Sequence, residues 1–414
     1  MIIHNPEIRV ENGEVSVSAR IEPRTPVSTM PDELFFTFPK NHKDWVTDRA
    51  DGFVVALLLL AMEYGEDIEV RGAVSPRLLL GIQEYQRVFN SWFPRRFKLI
   101  DIHCSKKISQ DSQDLRRSVA CAFSGGIDSF YTLWSHLPQN DPNPNSRLSY
   151  ALFAHGFDIR LEDEETFRTA KESYEEMLTR LGIQLLTART NIQRFVPRSD
   201  WGIFHGSALI GLALALGRLL KRFYVPAGHT YNDLVPWGSD PRLDYLLSSE
   251  TLEIVHDGAS VTRVRKTAIA ADWPETFTRL RVCSIKQNDL LRNCCRCEKC
   301  LRTMITLDMF HALPNYRCFP LALERRTIRR CRYFTASDFA FPREIMKHAA
   351  SIGRRDIVFD LRCAILYSRF LQAGRRLKKT VLAASRRSQR QFGHWLLNKK
   401  SPSSPTVQTK HIQT

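Results

Sequence analysis

The sequence predicts an α/β protein built on a doubly wound parallel sheet, with a small α/β module before it and a helical region after it. Three observations carry that expectation. Short apolar runs alternate with helix-length segments between residues 118 and 228, a βαβαβα order that implies parallel strands joined by crossover helices. A turn rich in glycine joins the first of these strands to the first helix, at the sheet edge where such folds bind ligands. A tight group of cysteines follows the same region.

Taken in order, residues 7–21 alternate weakly about Asn12-Gly13, a hairpin signal. LFFTFP (34–39) reads as a strand. Residues 48–65 read as a buried helix opened by Asp48 or Asp51 and stopped by Gly65. A short strand, DIEVRG, precedes a helix that Ser75 opens and that runs to residue 93. The polar stretch 105–117 is the expected boundary of a 1–112 module. Beyond it come a strand at 118–123, a helix after residue 126, a strand at 149–154 and an acidic helix over 162–181. A strand at 183–188, an apolar helix over 206–220 and a strand at 222–228 complete the series. The expected units are 1–112, a catalytic unit 113–320, a basic helical extension 321–374 and a basic tail 375–414 that is partly disordered.

Composition bounds the class. With 414 residues and 43% of them hydrophobic, the chain can bury a core. The most apolar runs, FVVALLLLAM and ALIGLALALG, span about half of what a bilayer needs. The N-terminal residues carry no basic stretch followed by an apolar one, so a secretory signal is not expected and a cytoplasmic, reducing compartment is. The net charge of +16 is unevenly placed. Residues 375–414 hold ten Lys or Arg and no acid, residues 321–374 hold eleven against five, and residues 1–320 are neutral overall. The basic balance therefore bears on where the protein docks, with nucleic acid or an anionic surface as the expected partner of the C-terminal region.

Ser124-Gly125-Gly126-Ile127-Asp128-Ser129 lies between the first strand of the series and a helix whose apolar positions Phe130, Leu133, Trp134 and Leu137 fall on one face. A glycine pair at a strand end lets backbone N–H groups converge on an anion, and the helix N-terminus adds partial positive charge. Ser124 and Ser129 can donate hydroxyl hydrogen bonds to phosphate oxygens. Asp128 makes chemical sense beside a phosphate if it holds Mg²⁺ or orients the loop amides.

This segment resembles the SGGxDS signature of the PP-loop ATP pyrophosphatases, the adenine nucleotide alpha hydrolase-like fold. The resemblance implies cleavage of ATP between its α and β phosphates. A substrate oxygen attacks the α phosphorus, pyrophosphate leaves into the loop, and a nitrogen or sulfur nucleophile then displaces AMP. No Gly-Lys-Ser/Thr follows, so γ-phosphate transfer is disfavoured.

Cys283, Cys294, Cys297 and Cys300 form C-x(10)-C-x-x-C-x-x-C, with Cys295 as an extra neighbour. Overlapping C-x-x-C steps aim three thiolates at one ion and the upstream cysteine closes a tetrahedral shell. Zinc is the expected metal and an iron–sulfur cluster the competitor, since cysteines alone do not choose between them. Four thiolates leave no open position, so the metal would be structural.

A phosphate loop early and such a cysteine group late is similar to 7-cyano-7-deazaguanine synthase and its relatives, over about residues 118–304. In that family ATP activates a carboxylate, ammonia makes an amide, a second activation gives a nitrile, and the cysteines hold zinc. The resemblance implies that Ser124, Gly125, Gly126, Asp128 and Ser129 bind the pyrophosphate end of ATP, and that Lys266 matches a lysine preceding the zinc segment. It departs from the family at residues 154–158, at the N-terminal module and at the basic C-terminal region, so the substrate does not follow. The expected activity is an ATP-dependent, AMP-forming ligase that makes a C–N bond from a small-molecule carboxylate or amide and a nitrogen donor. A homodimer stays open.

Other candidates stand beside a structural alternative. His155 and Asp158 follow the second parallel strand and are expected to contact nucleotide, Mg²⁺ or substrate. His205 precedes the apolar helix; residues 228–244, with Trp237, Asp240 and Asp244, suggest a substrate-reading loop. Lys266 can neutralise charge building on phosphates. A tRNA-modifying thiolase, with a cysteine carrying sulfur, and a non-catalytic nucleotide-binding protein are the alternative functions.

Overall fold

The computed structural model describes residues 1–25, 30–108, 118–196, 200–283 and 291–374. The expected boundary at residue 112 and the basic tail from residue 375 lie outside the described residues. The expected linker begins differently, because Ser105 to Lys107 belong to a strand.

The chain is an α/β protein with one large mixed sheet, mostly parallel. Its strands are β1 (Ile2–Ile3), β2 (Glu7–Glu11), β3 (Glu14–Glu22), β4 (Glu33–Pro39), β5 (Ile68–Val74), β6 (Ile102–Lys107), β7 (Ser118–Ala122), β8 (Tyr150–His155), β9 (Gln184–Thr190), β10 (Leu220–Pro226) and β11 (Glu253–Asp257). They are ordered β11-β10-β7-β8-β9-β4-β3-β1-β5-β6, with β2 beside β3. The five from β11 to β9 are parallel. Antiparallel pairing of Phe36 with Thr190 and Thr37 with Arg189 joins them to the N-terminal strands. The two groups of strands therefore share one sheet.

The helices are α1 (Asp51–Tyr64), α2 (Pro76–Trp92), α3 (Ile127–Ser135), α4 (Glu164–Arg180), α5 (Trp201–Leu214), α6 (Arg263–Ala271), α7 (Glu298–Met309), α8 (Arg325–Arg329) and α9 (Ala336–Ser351), followed by α10 over residues 355–374. Local chemistry explains several ends. Asn12 and Gly13 both take positive φ, as a tight hairpin turn needs. Gly65 ends α1 in the left-handed region at φ +68°. Ser75 caps α2, accepting from the Leu78 amide at 3.0 Å. Asp51 serves both α1 and its neighbour, accepting from the Ser75 amide at 2.7 Å and from Arg49 at 2.6 Å.

Both faces of the parallel strands are covered, and successive residues show it. Ala120, Leu152, Leu186 and Phe223 face the core that holds α1 and α5. Cys121, Phe153, Leu185 and Tyr224 face the core that holds α3, α4 and part of α7, the alternation of a sheet buried on both sides. α1 and α5 lie backbone to backbone. A Cβ on Gly211 would stand 2.5 Å from the Gly52 carbonyl oxygen, and one on Gly52 would stand 2.4 Å from that of Gly211. This contact fastens the N-terminal unit to the helix that walls the site. The apolar helix expected over 206–220 instead ends at Leu214, because Leu220 already pairs with Ser118 in the sheet.

A third core of Val264, Leu301, Ile305, Ile345, Leu361 and Ala364 seats α8, α9 and α10 on α6 and α7. Among the described residues no helix is long and apolar enough to cross a membrane.

Candidate functional site

β7 and β10 are neighbours, yet their sequence partners lead in opposite directions across the sheet, β7 to β8 and β10 to β11. Such a reversal opens a crevice at the carboxyl ends of the strands. A cavity of about 430 Å³ lies there. Its wall includes Ser124, Gly126, Asp128 and Ser129 from the β7–α3 turn, and Asp158, His205, His229 and Trp237 from the loops and helix beyond.

The turn is built by its glycines. Gly125 has φ +75°, and a Cβ there would meet the Tyr174 hydroxyl at 1.9 Å. Gly126 caps α3 in extended conformation. Ser129 donates to the Gly126 carbonyl at 2.9 Å, and the Ser124 hydroxyl accepts from the Gly126 amide at 3.4 Å. The α3 N-terminus thus opens into the cavity, with Gly126, Asp128 and Ser129 in its wall.

Asp128 is held by α6. Thr262 caps that helix by accepting from the Arg265 amide, which sets Arg263 and Lys266 three residues apart on one face. Arg263 donates to Asp128 Oδ2, and Lys266 Nζ lies 3.6 Å from Oδ1. Burial raises the Asp128 carboxyl, but Arg263, Lys266 and Arg302 lower it by more, and it lies below its ordinary value. Lys266 is 2% exposed, donates to the Ala227 carbonyl at 2.7 Å and sits against the Tyr131 ring. Burial, offset in part by Asp128, lowers its pKa. Asp128 Oδ2 is taken by Arg263, while Oδ1 is buried and accepts no hydrogen bond, with Lys266 Nζ 3.6 Å away; one oxygen of the loop is thus left as a donor that a cation could use. The cations facing the loop are side chains.

The cysteines gather. The Sγ atoms of Cys283, Cys294, Cys297 and Cys300 lie within 4.8 Å of one another, and all four are free of disulfides. This donor set can hold a metal ion such as zinc. Cys295 points elsewhere, its thiol 3.4 Å from the Asn293 carbonyl in the apolar core. The group also carries cations to the cavity. Arg281, two residues before Cys283, donates its amide to the Gly125 carbonyl at 2.8 Å and its guanidinium to that of Ser124 at 3.4 Å. Lys299 and Arg302, on α7 beside Cys300, line the same wall.

Comparison of the chain with protein-family models, with curated proteins and with solved structures finds no match.

Asp158 lines the cavity, and its carboxyl, raised by burial, is lowered further by Lys299, Arg281 and His205. His155 is not among the lining residues. Its ring stacks on Phe167 at 4.3 Å, and Nε2 lies 2.7 Å from the Arg160 carbonyl. His205, expected before the apolar helix, lies inside α5 one turn past its start at Trp201, its Nδ1 3.1 Å from the Gly202 carbonyl. The loop after β10 is seated on α5: the Gly238 amide donates to the Gly202 carbonyl, and a Cβ on Gly202 would stand 2.6 Å from the Trp237 ring. Trp237 is thereby fixed in the wall. Asp240 pairs with Arg242 and Asp244 accepts from Ser239, 2.7 Å from His256 Nδ1, so both acids are structural.

Residues beyond the expected set complete the wall. Phe341 and Ser337 come from α9. The Phe341 ring stacks on His229 at 5.2 Å and underlies the Arg302 guanidinium at 3.8 Å, while Ser337 Oγ lies 2.8 Å from His229 Nε2. Burial, with Arg302 and Arg263 nearby, lowers the His229 pKa to about 4. A Thr-capped Arg-x-x-Lys pair was the one sequence signal for Arg263; nothing local marks Phe341.

Proposed function

We propose that the protein is an ATP-dependent ligase of the PP-loop type that adenylates a carboxylate, or an amide, and forms a C–N bond, with 7-cyano-7-deazaguanine synthase as the nearest precedent. The observation that carries this reading is the meeting, in one cavity, of the glycine turn of residues 124–129 with Arg263, Arg281 and Arg302. Convergent amides and guanidiniums suit the developing charge of departing pyrophosphate.

In this reading the β and γ phosphates lie on the Ser124–Ser129 turn and the α phosphorus faces the interior of the cavity. A carboxylate oxygen of the substrate attacks it; the bond to the bridging oxygen breaks and pyrophosphate leaves with both electrons. An uncharged nitrogen nucleophile then attacks the acyl carbon, AMP leaves, and the nitrogen gives up one proton. Asp128 holds Arg263 and Lys266 in place for the first step. Asp158, backed by Lys299 and Arg281, faces the substrate half of the cavity. The chemistry asks the chain mainly to orient two reactants and exclude water. Zinc in the four-cysteine group, when bound, would fix the segments that bear Arg281, Lys299 and Arg302, and it enters no chemical step.

Sulfur transfer is less well supported, because among the described residues no cysteine lines the cavity while four are gathered with one another. Incubation with ATP and a pool of small carboxylic acids is expected to release AMP and pyrophosphate. Release of ADP and phosphate would contradict the proposal.

A further inference from the structure

α10 presents a face that nothing in the described chain covers. Phe359, Leu366 and Phe370 are 55%, 65% and 77% exposed. They stand at i, i+7 and i+11, so they share one stripe along the helix. Large apolar side chains at this exposure are unusual when three align. The opposite face is the ordinary one: Ile357, Leu361, Ala364 and Ser368 are buried against the third core and its edge.

The stripe has a charged border. Arg355, Arg362 and Arg369 recur every seven residues along one side of it and are all exposed. Arg329 adds its guanidinium 5.3 Å from the Phe359 ring, held there by Asp360. Exposed Arg326, Arg330 and Arg332 come from the neighbouring turn. The sequence leaving α10 continues the same sign, with ten Lys or Arg and no acid over 375–414.

We propose that this face docks on an anionic lipid surface, with Phe359, Leu366 and Phe370 entering the interface and the arginine column meeting the headgroups. Charge and shape both select the occupant. A convex helix with an apolar stripe bordered by arginine matches a flat interface that is apolar below and anionic above. A second copy applied to the same stripe would bring like arginine columns together, which costs energy. A nucleic acid would use the arginines but has no need of an exposed leucine between two phenylalanines.

The test uses the full chain and vesicles of phosphatidylcholine with or without phosphatidylglycerol. Co-sedimentation is expected with the anionic vesicles alone and is expected to fall as salt rises. The double change Leu366→Asp with Phe370→Asp is expected to lower partition about tenfold or more, since it removes the buried apolar area. Arg362→Gln with Arg369→Gln is expected to lower it about tenfold or more as well, since it removes two of the cations facing the headgroups. All four positions are exposed, and unchanged melting temperatures would show that the fold is intact. Binding that the first double change leaves untouched overturns the proposal. So does binding to a duplex oligonucleotide that displaces the vesicles and ignores that change.

Discussion

The guanidinium carbon of Arg302 lies 3.8 Å from the centre of the Phe341 ring, so an aromatic side chain of α9 supports a cation that the cysteine-bearing segment brings to the cavity. The same ring stacks on His229. Phe341→Ala removes both supports. Cation–π contacts of this kind contribute about 0.5–2 kcal/mol, so KM for ATP is expected to rise roughly two- to thirtyfold. Phe341→Tyr, which keeps a ring, is expected to recover most of the loss in steady-state kinetics.

Gly125 is where a single methyl group meets both strain and a clash. At φ +75° with the Tyr174 hydroxyl 1.9 Å from the added carbon, Gly125→Ala must distort the turn. Overpacking and strain of this kind cost about 1–3 kcal/mol each. Nucleotide binding is expected to be lost in calorimetry. Tyr174→Phe in the same chain relieves only part of the effect, since the positive φ remains.

Acid sensitivity follows from His229. Its folded pKa lies near 4 against an unfolded value of about 6.5, so between those values the unfolded chain binds the proton and the folded chain does not. Stability from this group is therefore full above pH 6.5 and is lost as pH falls toward 4, by about 1–3 kcal/mol. Urea midpoints compared at pH 7 and pH 5 should shift less for His229→Asn than for the unaltered chain.

Metal content separates two adjacent thiols. Cys294→Ser breaks the four-sulfur group, whereas Cys295 lies outside it. Elemental analysis should find about one zinc in Cys295→Ser and little in Cys294→Ser. Because metal binding is folding free energy, the latter should also melt at a lower temperature.

The glycine contact between helices is testable by itself. Gly211→Ala places a carbon 2.5 Å from the Gly52 carbonyl oxygen and is expected to cost about 1–3 kcal/mol in chemical denaturation. The Gly217→Ala change, whose nearest neighbour would be 3.2 Å away, should cost less.

What the sequence made legible was local. Ser75 and Gly65 mark helix ends through their own backbone chemistry, Asn12-Gly13 marks a hairpin, and the cysteine spacing marks a thiolate group. The alternating apolar strands gave the α/β class. What it hid was made by distant pairing. Nothing near Phe36 announces that it will pair with Thr190 and carry the N-terminal strands into the same sheet. Phe341 lies about forty residues past the cysteines, and only the third core brings α9 back to the cavity. His155 and Asp158 looked alike as residues past a strand, but the Gly156 turn at φ +97° sends only Asp158 into the cavity wall.

The central claim is that ATP is cut between its α and β phosphates at this cavity. Exchange of labelled pyrophosphate into ATP, measured with the acid pool present, reads that bond directly. Label is expected to enter ATP with the unaltered protein, and to fall at least tenfold when Asp128→Ala frees Arg263 and Lys266 from their partner. ADP formation without exchange, or exchange that survives Asp128→Ala unchanged, would contradict it.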